Sequence, residues 1–479
     1  MGLFEKYERL VEAVNTVRSS GLVLKASGLL IESKGPICTI GEICEIELPD
    51  GKFARAEVVE LREDRVLLMP LEDTPGIIPG CVVYSNSEPL TILVGDDLIG
   101  RIINGIGDPI DGHSLNFYAQ RRQVFRDPPS VINRKRITQK MHVGIKAIDG
   151  LLTVGMGQRI GIFSGSGVGK STLLSMIARN TKADLTVICL IGERGREVLE
   201  FIERDLGEEG LKRSIVVVAT SSAPPMARIR SLYSATTIAE FYRDQGRNVM
   251  LLVDSLTRLA MAQREIGISL GEQPTARGYS PSVFTMLPKI LERSGTSDQG
   301  SITAFYTVLV EGDDLDEPIS DAVRGILDGQ IVLTRQLAMK SHYPSIDIPM
   351  SISRLMNQIS SVNHNRAAMR MKELIAAHKE AEELISIGAY VKGGNPVTDE
   401  AVQKIQMINR FLRQEITEVT DPDTILKNLY SIIFNEREAI KLLQQETAKQ
   451  TPKENAQTPI APAAEPFSGL RSLSRIQGL

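Results

Sequence analysis

Cysteine is scarce and tryptophan is absent in this chain of 479 residues, which contains four cysteines. The cysteines, Cys38, Cys44, Cys81 and Cys189, form no CxxC pair and no zinc-type spacing with histidine. Neither a disulfide framework nor a Cys/His metal site is therefore indicated, and a reducing compartment is expected.

Long apolar runs are also missing. No stretch approaches the ~18 apolar residues that a membrane-spanning helix needs. Acidic residues stand near the N-terminus, where a signal peptide would have its apolar region. The sequence therefore predicts a cytoplasmic protein.

Neither sign of charge dominates, because 55 Lys and Arg oppose 59 Asp and Glu for a net charge of −4. With 12 Phe and 10 Tyr, the chain also lacks the basic, aromatic surface that single-stranded nucleic acid favours, so no nucleic acid is expected as a partner. Apolar residues at 42% and charged residues at 24% are ordinary for a globular protein, and the length predicts about three domains.

The hydropathy pattern changes several times along the chain. Residues 1–20 place Leu3, Tyr7 and Val14 among other apolar residues at three- and four-residue steps. This spacing is typical of an amphipathic helix that packs on its own domain or docks on a partner helix. Over residues 21–95, short runs of Val, Ile and Leu are broken by Gly, Pro and Asp, which predicts a small β-barrel.

Residues 96–350 alternate strand-like and helix-like segments. The strand-like runs are continuously apolar, as in a parallel sheet that is buried on both faces. Strands are expected at 159–163, 185–191, 215–219, 249–253, 302–310 and 331–334. The central domain is therefore predicted to be α/β.

Helical periodicity dominates residues 351–445, with helices expected at 366–385, 398–413 and 423–443. Residues 446–479 are punctuated by proline and poor in large apolar side chains, so a disordered tail is expected there. The predicted fold is multidomain, with an N-terminal β-barrel, a central α/β domain and a C-terminal α-helical domain.

The strongest motif is a glycine-rich loop between an expected strand and an expected helix. It comprises Gly165, Ser166, Gly167, Val168, Gly169, Lys170, Ser171 and Thr172. In the phosphate-binding pattern GxxxxGK[ST], backbone N–H groups surround phosphate oxygens, the lysine neutralises the β- and γ-phosphates, and the following hydroxyl coordinates Mg²⁺. Lys170 and Ser171 fit these roles. The strict pattern has glycine where this chain has Ser164, a position that can require a φ that glycine adopts more readily.

A second element is the apolar run 249–253, which ends in Asp254. A carboxylate at the end of a buried strand needs a cation nearby, and Mg²⁺ held directly or through water provides one. Taken alone, the pattern also fits an ordinary helix cap. Beside the phosphate loop, it indicates a metal role for Asp254.

A third element is the run 192–197, Gly-Glu-Arg-Gly-Arg-Glu, which follows the strand expected at 185–191. Ligands of open parallel sheets bind at the carboxyl ends of the strands, so Lys170, Glu193 and Asp254 are predicted to converge. A carboxylate beside the γ-phosphate can orient the attacking water, which makes Glu193 the candidate catalytic base. Arg194 and Arg258 are candidates for compensating phosphate charge. Without the neighbouring motifs, Glu193 would be read as a solvated loop acid.

The long run 254–284, together with 192–196 and 317–321, resembles the type III protein export ATPases. The resemblance is greatest to the flagellar branch, the flagellum-specific ATP synthase family. Injectisome type III secretion ATPases and the catalytic subunit of rotary ATP synthases are also similar. It extends over residues 21–443, nearly the whole chain.

The resemblance implies a central P-loop (RecA-like) ATPase domain and a homo-hexameric ring that hydrolyses ATP with Mg²⁺. The segment 351–354 resembles the arginine finger of the family, which implies that Arg354 reaches into the site of a neighbouring subunit. Tyr343 matches the aromatic residue that stacks on adenine, and Tyr390 is a candidate for the other side. For both tyrosines, simple packing is the alternative interpretation.

The same resemblance implies several protein partners. In the family, the N-terminal helix binds a dimeric export regulator, and the C-terminal domain meets chaperone–substrate complexes. A stalk-like central protein and the export gate are further expected partners. The implied location is the cytoplasm, at the inner face of the membrane beneath the secretion apparatus.

Mg²⁺-dependent ATP hydrolysis that energises flagellar protein export is the function predicted from these observations. An injectisome ATPase is the main alternative. A rotary synthase catalytic subunit is disfavoured by the run 254–284, and a hexameric RNA translocase is disfavoured by the low aromatic content.

Overall fold

The computed structural model describes residues 18–73, 75–115, 120–310, 312 and 314–450. Most of the predicted N-terminal helix (1–20) and of the predicted tail (446–479) lies outside the described residues. Within the described residues, no helix is both long enough and apolar enough to cross a membrane.

A closed six-stranded barrel forms the N-terminal domain, with the strand order β1-β2-β5-β4-β3-β6. Buried side chains such as Ile46, Val58, Leu68 and Val83 fill its interior. The barrel strands are β1 Ser20–Ser27, β2 Leu30–Lys34, β3 Glu42–Glu47, β4 Phe53–Arg62, β5 Arg65–Pro70 and β6 Val82–Pro89. The predicted β-barrel is therefore confirmed.

A nine-stranded sheet forms the centre of the molecule, with the order β19-β18-β12-β17-β15-β13-β14-β8 and with β16 paired to β17. Neighbouring strands from β18 to β8 are all parallel. Every residue of β13 is buried, as expected for a strand covered by helices on both faces. The sheet strands are β8 Ile102–Asn104, β12 Arg159–Ser164, β13 Leu185–Glu193, β14 Ser214–Thr220, β15 Asn248–Asp254, β16 Gly295–Thr296, β17 Ser301–Leu309, β18 Gly329–Leu333 and β19 Ile352–Ser353.

Two small two-stranded sheets also occur among the described residues. They pair β7 Thr91–Val94 with β9 Gln120–Gln123, and β10 Lys140–Met141 with β11 Val154–Gly155. In the described part of the chain, short 3₁₀ turns span Asp96–Leu98, Val131–Asn133 and Ala276–Gly278.

Helices cover both faces of the central sheet and build the C-terminal domain. In the central domain they are α1 Lys146–Leu151, α2 Lys170–Asn180, α3 Gly195–Glu200, α4 Gly207–Leu211, α5 Pro225–Arg243, α6 Leu256–Ser269, α7 Pro281–Leu291, α8 Pro318–Ile326 and α9 Arg335–Met339, with a π-helix at Phe201–Leu206 between α3 and α4. Those that follow are α10 Met356–Ile359, α11 Val362–Ser386, α12 Pro396–Leu412, α13 Pro422–Ile433 and α14 Glu436–Gln450. The predicted α/β and α-helical domains are confirmed.

The third predicted C-terminal helix is two helices. The run 423–443 was expected to be continuous, but α13 ends at Ile433 and α14 begins at Glu436. Asn435 lies in the break and accepts a hydrogen bond from the Glu438 N–H (2.9 Å). An asparagine that bonds a main-chain N–H ahead of it favours a new helix start over continuation.

The C-terminal helices pack directly on α1. A Cβ on Gly150 would lie 3.0 Å from the Phe411 ring and 3.4 Å from Ile425, so α12 and α13 approach α1 at a position where glycine leaves room. The hydrophobic core is shared between the central and C-terminal domains at this contact. The C-terminal domain is thus anchored to the segment that precedes the phosphate loop.

A buried ion pair joins the barrel to the central domain. The Arg230 Nε on α5 donates to Glu57 Oε2 of β4 at 2.7 Å, and both side chains are almost fully buried. The guanidinium carbon of Arg230 also lies 4.3 Å from the centre of the Phe125 ring. Because an unpaired charge at this depth would be costly, the pair fixes the barrel relative to the sheet.

Candidate functional site

The glycine-rich loop connects β12 to α2, which begins at Lys170. Gly167 (φ 77°) and Gly169 (φ 94°) adopt the left-handed region that favours glycine. Ser164 ends β12 and is not among the residues with positive φ, so serine is accommodated there without backbone strain. The loop therefore has the conformation in which successive N–H groups and a helix N-terminus face an anion.

Lys170 lies between two acidic side chains. Its Nζ donates a hydrogen bond to Asp254 Oδ1 and lies 3.9 Å from Glu193 Oε1. Asp254 Oδ1 also accepts a hydrogen bond from Thr307 Oγ1 (2.8 Å). The structure brings Lys170, Glu193 and Asp254 together at the carboxyl ends of β12, β13 and β15. Together with Arg258, which pairs with Glu193, these three residues form the cluster that we call the acidic clamp.

The Glu193 carboxylate also faces Arg258. The Arg258 Nε lies 3.1 Å from Glu193 Oε1, and its Nη2 donates to Oε2 at 3.2 Å. Burial raises the pKa of Glu193 to about 7, and the negative charge of Asp254 acts in the same direction, while Lys170 and Arg258 oppose both effects. A carboxyl group with a pKa near neutrality can exchange protons at physiological pH.

Two local features bring Arg258 to this place. The Ser255 side chain caps α6 by accepting the Arg258 N–H, which puts Arg258 in the first turn after β15. Gly192 (φ 68°) provides the room, because a Cβ there would lie 2.9 Å from the Arg258 Cδ. Ser255 and Gly192 therefore allow Arg258 to lie beside Glu193.

Arg194 lies outside the acidic clamp. It is the N-cap residue of α3, its side chain is 79% exposed, and its ion-pair partner is Glu197 at 3.7 Å. Of the two predicted charge-compensating arginines, the structure brings Arg258 and not Arg194 to the cluster.

Oxygen donors for a hard cation are present beside the loop. Ser171 is exposed in the first turn of α2, and Asp254 ends β15. In the part of the chain that the structure describes, no group of three or more His, Cys, Asp or Glu side chains could hold a metal ion. Mg²⁺ at a phosphate site is usually bound by one or two protein oxygens, with phosphate oxygens and water as its other ligands. The Ser171 hydroxyl and the Asp254 carboxylate fit that ion.

Tyr343 lies against the phosphate loop. Its Cδ1 would be 3.5 Å from a Cβ on Gly169, and the residue is 46% exposed. Ser345 donates a hydrogen bond from its hydroxyl to the Val168 carbonyl (2.6 Å), which ties this segment to the loop. A half-exposed aromatic ring therefore stands beside the helix N-terminus that would face the phosphates.

Tyr390 has a different environment. It follows α11, and its hydroxyl donates a hydrogen bond to the Asp399 carboxylate at the start of α12. Within the C-terminal domain, Gln414 contacts Tyr343, because its main-chain N–H donates to the Tyr343 carbonyl (2.9 Å).

Arg354 is exposed at the opposite end of the sheet. It follows β19, which pairs antiparallel with the first residues of β18, whereas the last residue of β18 pairs with Ser164. The five residues of β18 separate the two ends by about 13 Å at ~3.3 Å per residue. The Arg354 Nη2 donates to the Arg324 carbonyl (3.1 Å). Arg354 is therefore not part of the acidic clamp of its own chain.

Two residues at the site had no prediction from the sequence. Thr307 is one of two threonines in the largely apolar strand β17, and a hydroxyl near the carboxyl end of a buried strand is the signal that could have identified it. Gln414 lies in an irregular segment after α12, where no sequence pattern points to a contact with Tyr343.

Family models match three parts of the chain. Residues 23–86 match the β-barrel domain and residues 144–353 the nucleotide-binding domain of the ATP synthase alpha/beta family. Residues 360–431 match the C-terminal domain of the type III secretion system ATPase EscN.

Individual proteins match over most of their length. The flagellum-specific ATP synthase of Bacillus subtilis is 51% identical over 428 residues, which are 89% of this chain and 98% of that protein. The assembled ATPase EscN of the enteropathogenic E. coli type III secretion system superposes with a TM-score of 0.82 at 44% identity, over 86% of this chain and 100% of that one. EscN in complex with its central stalk EscO gives a TM-score of 0.80 at 43% identity, with the same coverage. The chain therefore belongs to the ATP synthase alpha/beta family, in the branch formed by the flagellum-specific ATP synthases and the type III secretion system ATPases.

Proposed function

We propose that this ATPase hydrolyses ATP to ADP and phosphate with Mg²⁺ and thereby energises protein export through the flagellar type III apparatus. The observation that carries the proposal is the acidic clamp beside the glycine-rich loop, in a chain 51% identical to a flagellum-specific ATP synthase. The clamp supplies the groups for phosphoryl transfer to water, and the family relationship supplies the process that uses them.

Lys170 changes partner when the triphosphate binds. Its ammonium group now bonds Asp254, and the phosphate oxygens held by residues 165–172 compete for it. The Ser171 hydroxyl and the Asp254 carboxylate are the residues that would hold Mg²⁺, which supplies charge neutralisation of the transferring phosphoryl group. The release of Lys170 leaves the Asp254 carboxylate available for the cation.

Glu193 acts as the base that orients the attacking water. It is buried beside Lys170, and its raised pKa of about 7 gives it the proton affinity that general-base catalysis uses near neutrality. Arg258 holds the carboxylate from the other side and is a candidate to meet developing phosphate charge. Arg194 could reach phosphate only after leaving Glu197.

Tyr343 is proposed to stack on the adenine, since its half-exposed ring borders Gly169. For the opposite face of the base, Tyr390 is the proposed residue, and it would have to leave Asp399.

The working form is proposed to be a homo-hexamer with sites at subunit interfaces. Arg354 is exposed and about 13 Å along β18 from the loop of its own chain, which suits a residue that serves a neighbour's site. The solved relative EscN is described as assembled, and as a complex with a central stalk. We propose a stalk-like partner for this chain as well.

Other proposed partners follow from family membership. They are a dimeric export regulator bound by the N-terminal helix, the export gate, and chaperone–substrate complexes at the C-terminal domain. The proposed location is the cytoplasm, at the inner face of the membrane beneath the apparatus. Use in an injectisome is the second candidate, because EscN is 44% identical.

Glu193→Gln tests the catalytic base. The amide keeps the size of the side chain but cannot accept the water proton, so we expect the ATP hydrolysis rate to fall by about 10²-fold or more while nucleotide binding is retained. Steady-state phosphate release and binding of a fluorescent ATP analogue measure the two properties. Glu200→Gln, at a partly exposed acid on α3 that pairs with Arg196, is the matched control. Wild-type hydrolysis by Glu193→Gln would exclude the base role.

The pH dependence follows from the same group. The pKa of Glu193 is about 7, so at lower pH its carboxyl group is protonated and cannot act as a base. We therefore expect kcat/KM to rise with pH and to level off above about pH 7. Measuring kcat/KM between about pH 5.5 and 8.5 at saturating Mg²⁺ tests this. A profile that is flat through neutrality contradicts it.

Arg354 can be tested by mixing variants. Arg354→Ala should bind ATP and assemble but hydrolyse slowly, by about 10³-fold or more, and Lys170→Ala should be inactive because it lacks phosphate contacts. In mixed rings, some Arg354→Ala sites lie beside a Lys170→Ala subunit with an intact Arg354, so activity should return. Each variant alone at the same total concentration is the control, and a mixture that stays inactive argues against a shared site.

The export role is tested in cells. In a flagellated strain that lacks its own flagellum-specific ATPase, this chain should restore motility and release of filament protein into the medium, and the Lys170→Ala variant should not. The parallel experiment uses an injectisome strain that lacks its ATPase. Restoration of injectisome secretion alone would overturn the flagellar assignment.

A further inference from the structure

Gln414 lies at the junction of the C-terminal domain and the nucleotide-binding domain. It follows α12, and only 5% of the residue is exposed. Its side chain bonds Gly144, just before α1, and Lys146, the first residue of α1, and its main chain contacts Tyr343. A buried glutamine with such contacts links the C-terminal domain to the proposed base-binding ring.

All three side-chain contacts of Gln414 are complementary to a neutral amide. The Lys146 N–H donates to Oε1 (2.8 Å), and Nε2 donates to the Gly144 carbonyl (2.8 Å) and to the Glu418 carbonyl (3.0 Å). One acceptor and two donors are required at once, so the orientation of the amide is fixed by chemistry. Among side chains of this size, only that of glutamine offers one acceptor and two donors for these three hydrogen bonds.

The segment around Gln414 is braced from the nucleotide-binding domain at further points. Lys146 Nζ donates to Glu418 Oε1 (2.8 Å), and Arg179 at the end of α2 donates to the Ile416 carbonyl (2.8 Å). Helix α2 is the one that starts at the phosphate loop. The segment 413–418 is therefore held to α1 and to α2, the helix that begins at the phosphate loop.

Tyr343 is held from two sides. Ser345 ties its segment to Val168 of the loop, and the Gln414 N–H binds the Tyr343 carbonyl (2.9 Å). The first bond sets the distance to the loop. The second depends on where the segment 413–418 is held, and the Gln414 amide fixes that position.

We propose that Gln414 is a positioning residue for the nucleotide base: its buried amide locks the segment 413–418 against the start of α1, and its N–H thereby sets Tyr343 beside the loop. The inference rests on the proposed function, in which Tyr343 stacks on adenine. It also gives the C-terminal domain a direct route to base binding, because a shift of α12 moves the bond to Tyr343.

Gln414→Glu is the decisive variant. It preserves the size of the side chain but replaces both donors by an oxygen that faces two carbonyl groups. We expect the KM for ATP to rise about tenfold, as loss of a base–aromatic contact would produce. The larger share of the loss in kcat/KM should fall on KM. Gln299→Ala, at an exposed glutamine in the turn before β17, is the control.

Inorganic tripolyphosphate with Mg²⁺ separates positioning from a general structural defect, because it has phosphates and no base. Its Kd should stay within about twofold of the wild type in Gln414→Glu, whereas a distorted phosphate loop would weaken ATP and tripolyphosphate alike. An ATP KM that does not change, or an equal loss for both ligands, would overturn the proposal.

A double-variant cycle tests whether Gln414 acts through Tyr343. Tyr343→Ala should raise the KM for ATP by itself, and Gln414→Glu should add little in that background. Additive effects would refute action through the ring. A wild-type chain without ATP hydrolysis, or Tyr343→Ala with an ordinary KM, would instead count against the proposed function. If only the inference fails, the wild type still hydrolyses ATP and Tyr343→Ala still raises the KM.

Discussion

The Lys170 ammonium group beside the Asp254 and Glu193 carboxylates is the interaction on which the rest of the site depends. Burial makes each charge costly alone, and with Arg258 the cluster balances two cations against two anions. In the proposed function, a triphosphate competes with Asp254 for Lys170, and this competition frees a carboxylate. The same burial keeps the pKa of Glu193 near neutrality. The contacts of this cluster and the pKa of Glu193 thus both depend on the burial of these charges.

The order of strands in the central sheet makes the cluster possible. β12, β17, β15 and β13 are neighbours and parallel, so their carboxyl ends meet at one edge although they are distant in sequence. Continuous apolar strands and helices on both faces hold that edge rigid. Thr307, near the end of β17, donates a hydrogen bond from its hydroxyl to Asp254, so β17 also contributes to the site.

The C-terminal domain takes part in the site as well. Its helices share a core with the segment before the phosphate loop, where Gly150 lets α12 and α13 approach α1. Gln414 extends this contact to Tyr343. The barrel is joined to α5 by the buried pair of Arg230 and Glu57, so both outer domains are tied to the central domain by buried polar contacts.

The sequence by itself determined the fold class, the parallel sheet and the phosphate loop, because hydrophobic periodicity and glycine spacing are local properties. It also predicted that Lys170, Glu193 and Asp254 would meet, since the topology rule for parallel sheets is general. Only the tertiary structure separated Arg258 from Arg194, divided the run 423–443 at Asn435, and brought Gln414 to Tyr343. Those outcomes depend on contacts between residues that are far apart in the chain. Side-chain direction and burial decide such contacts, and no local sequence pattern encodes them.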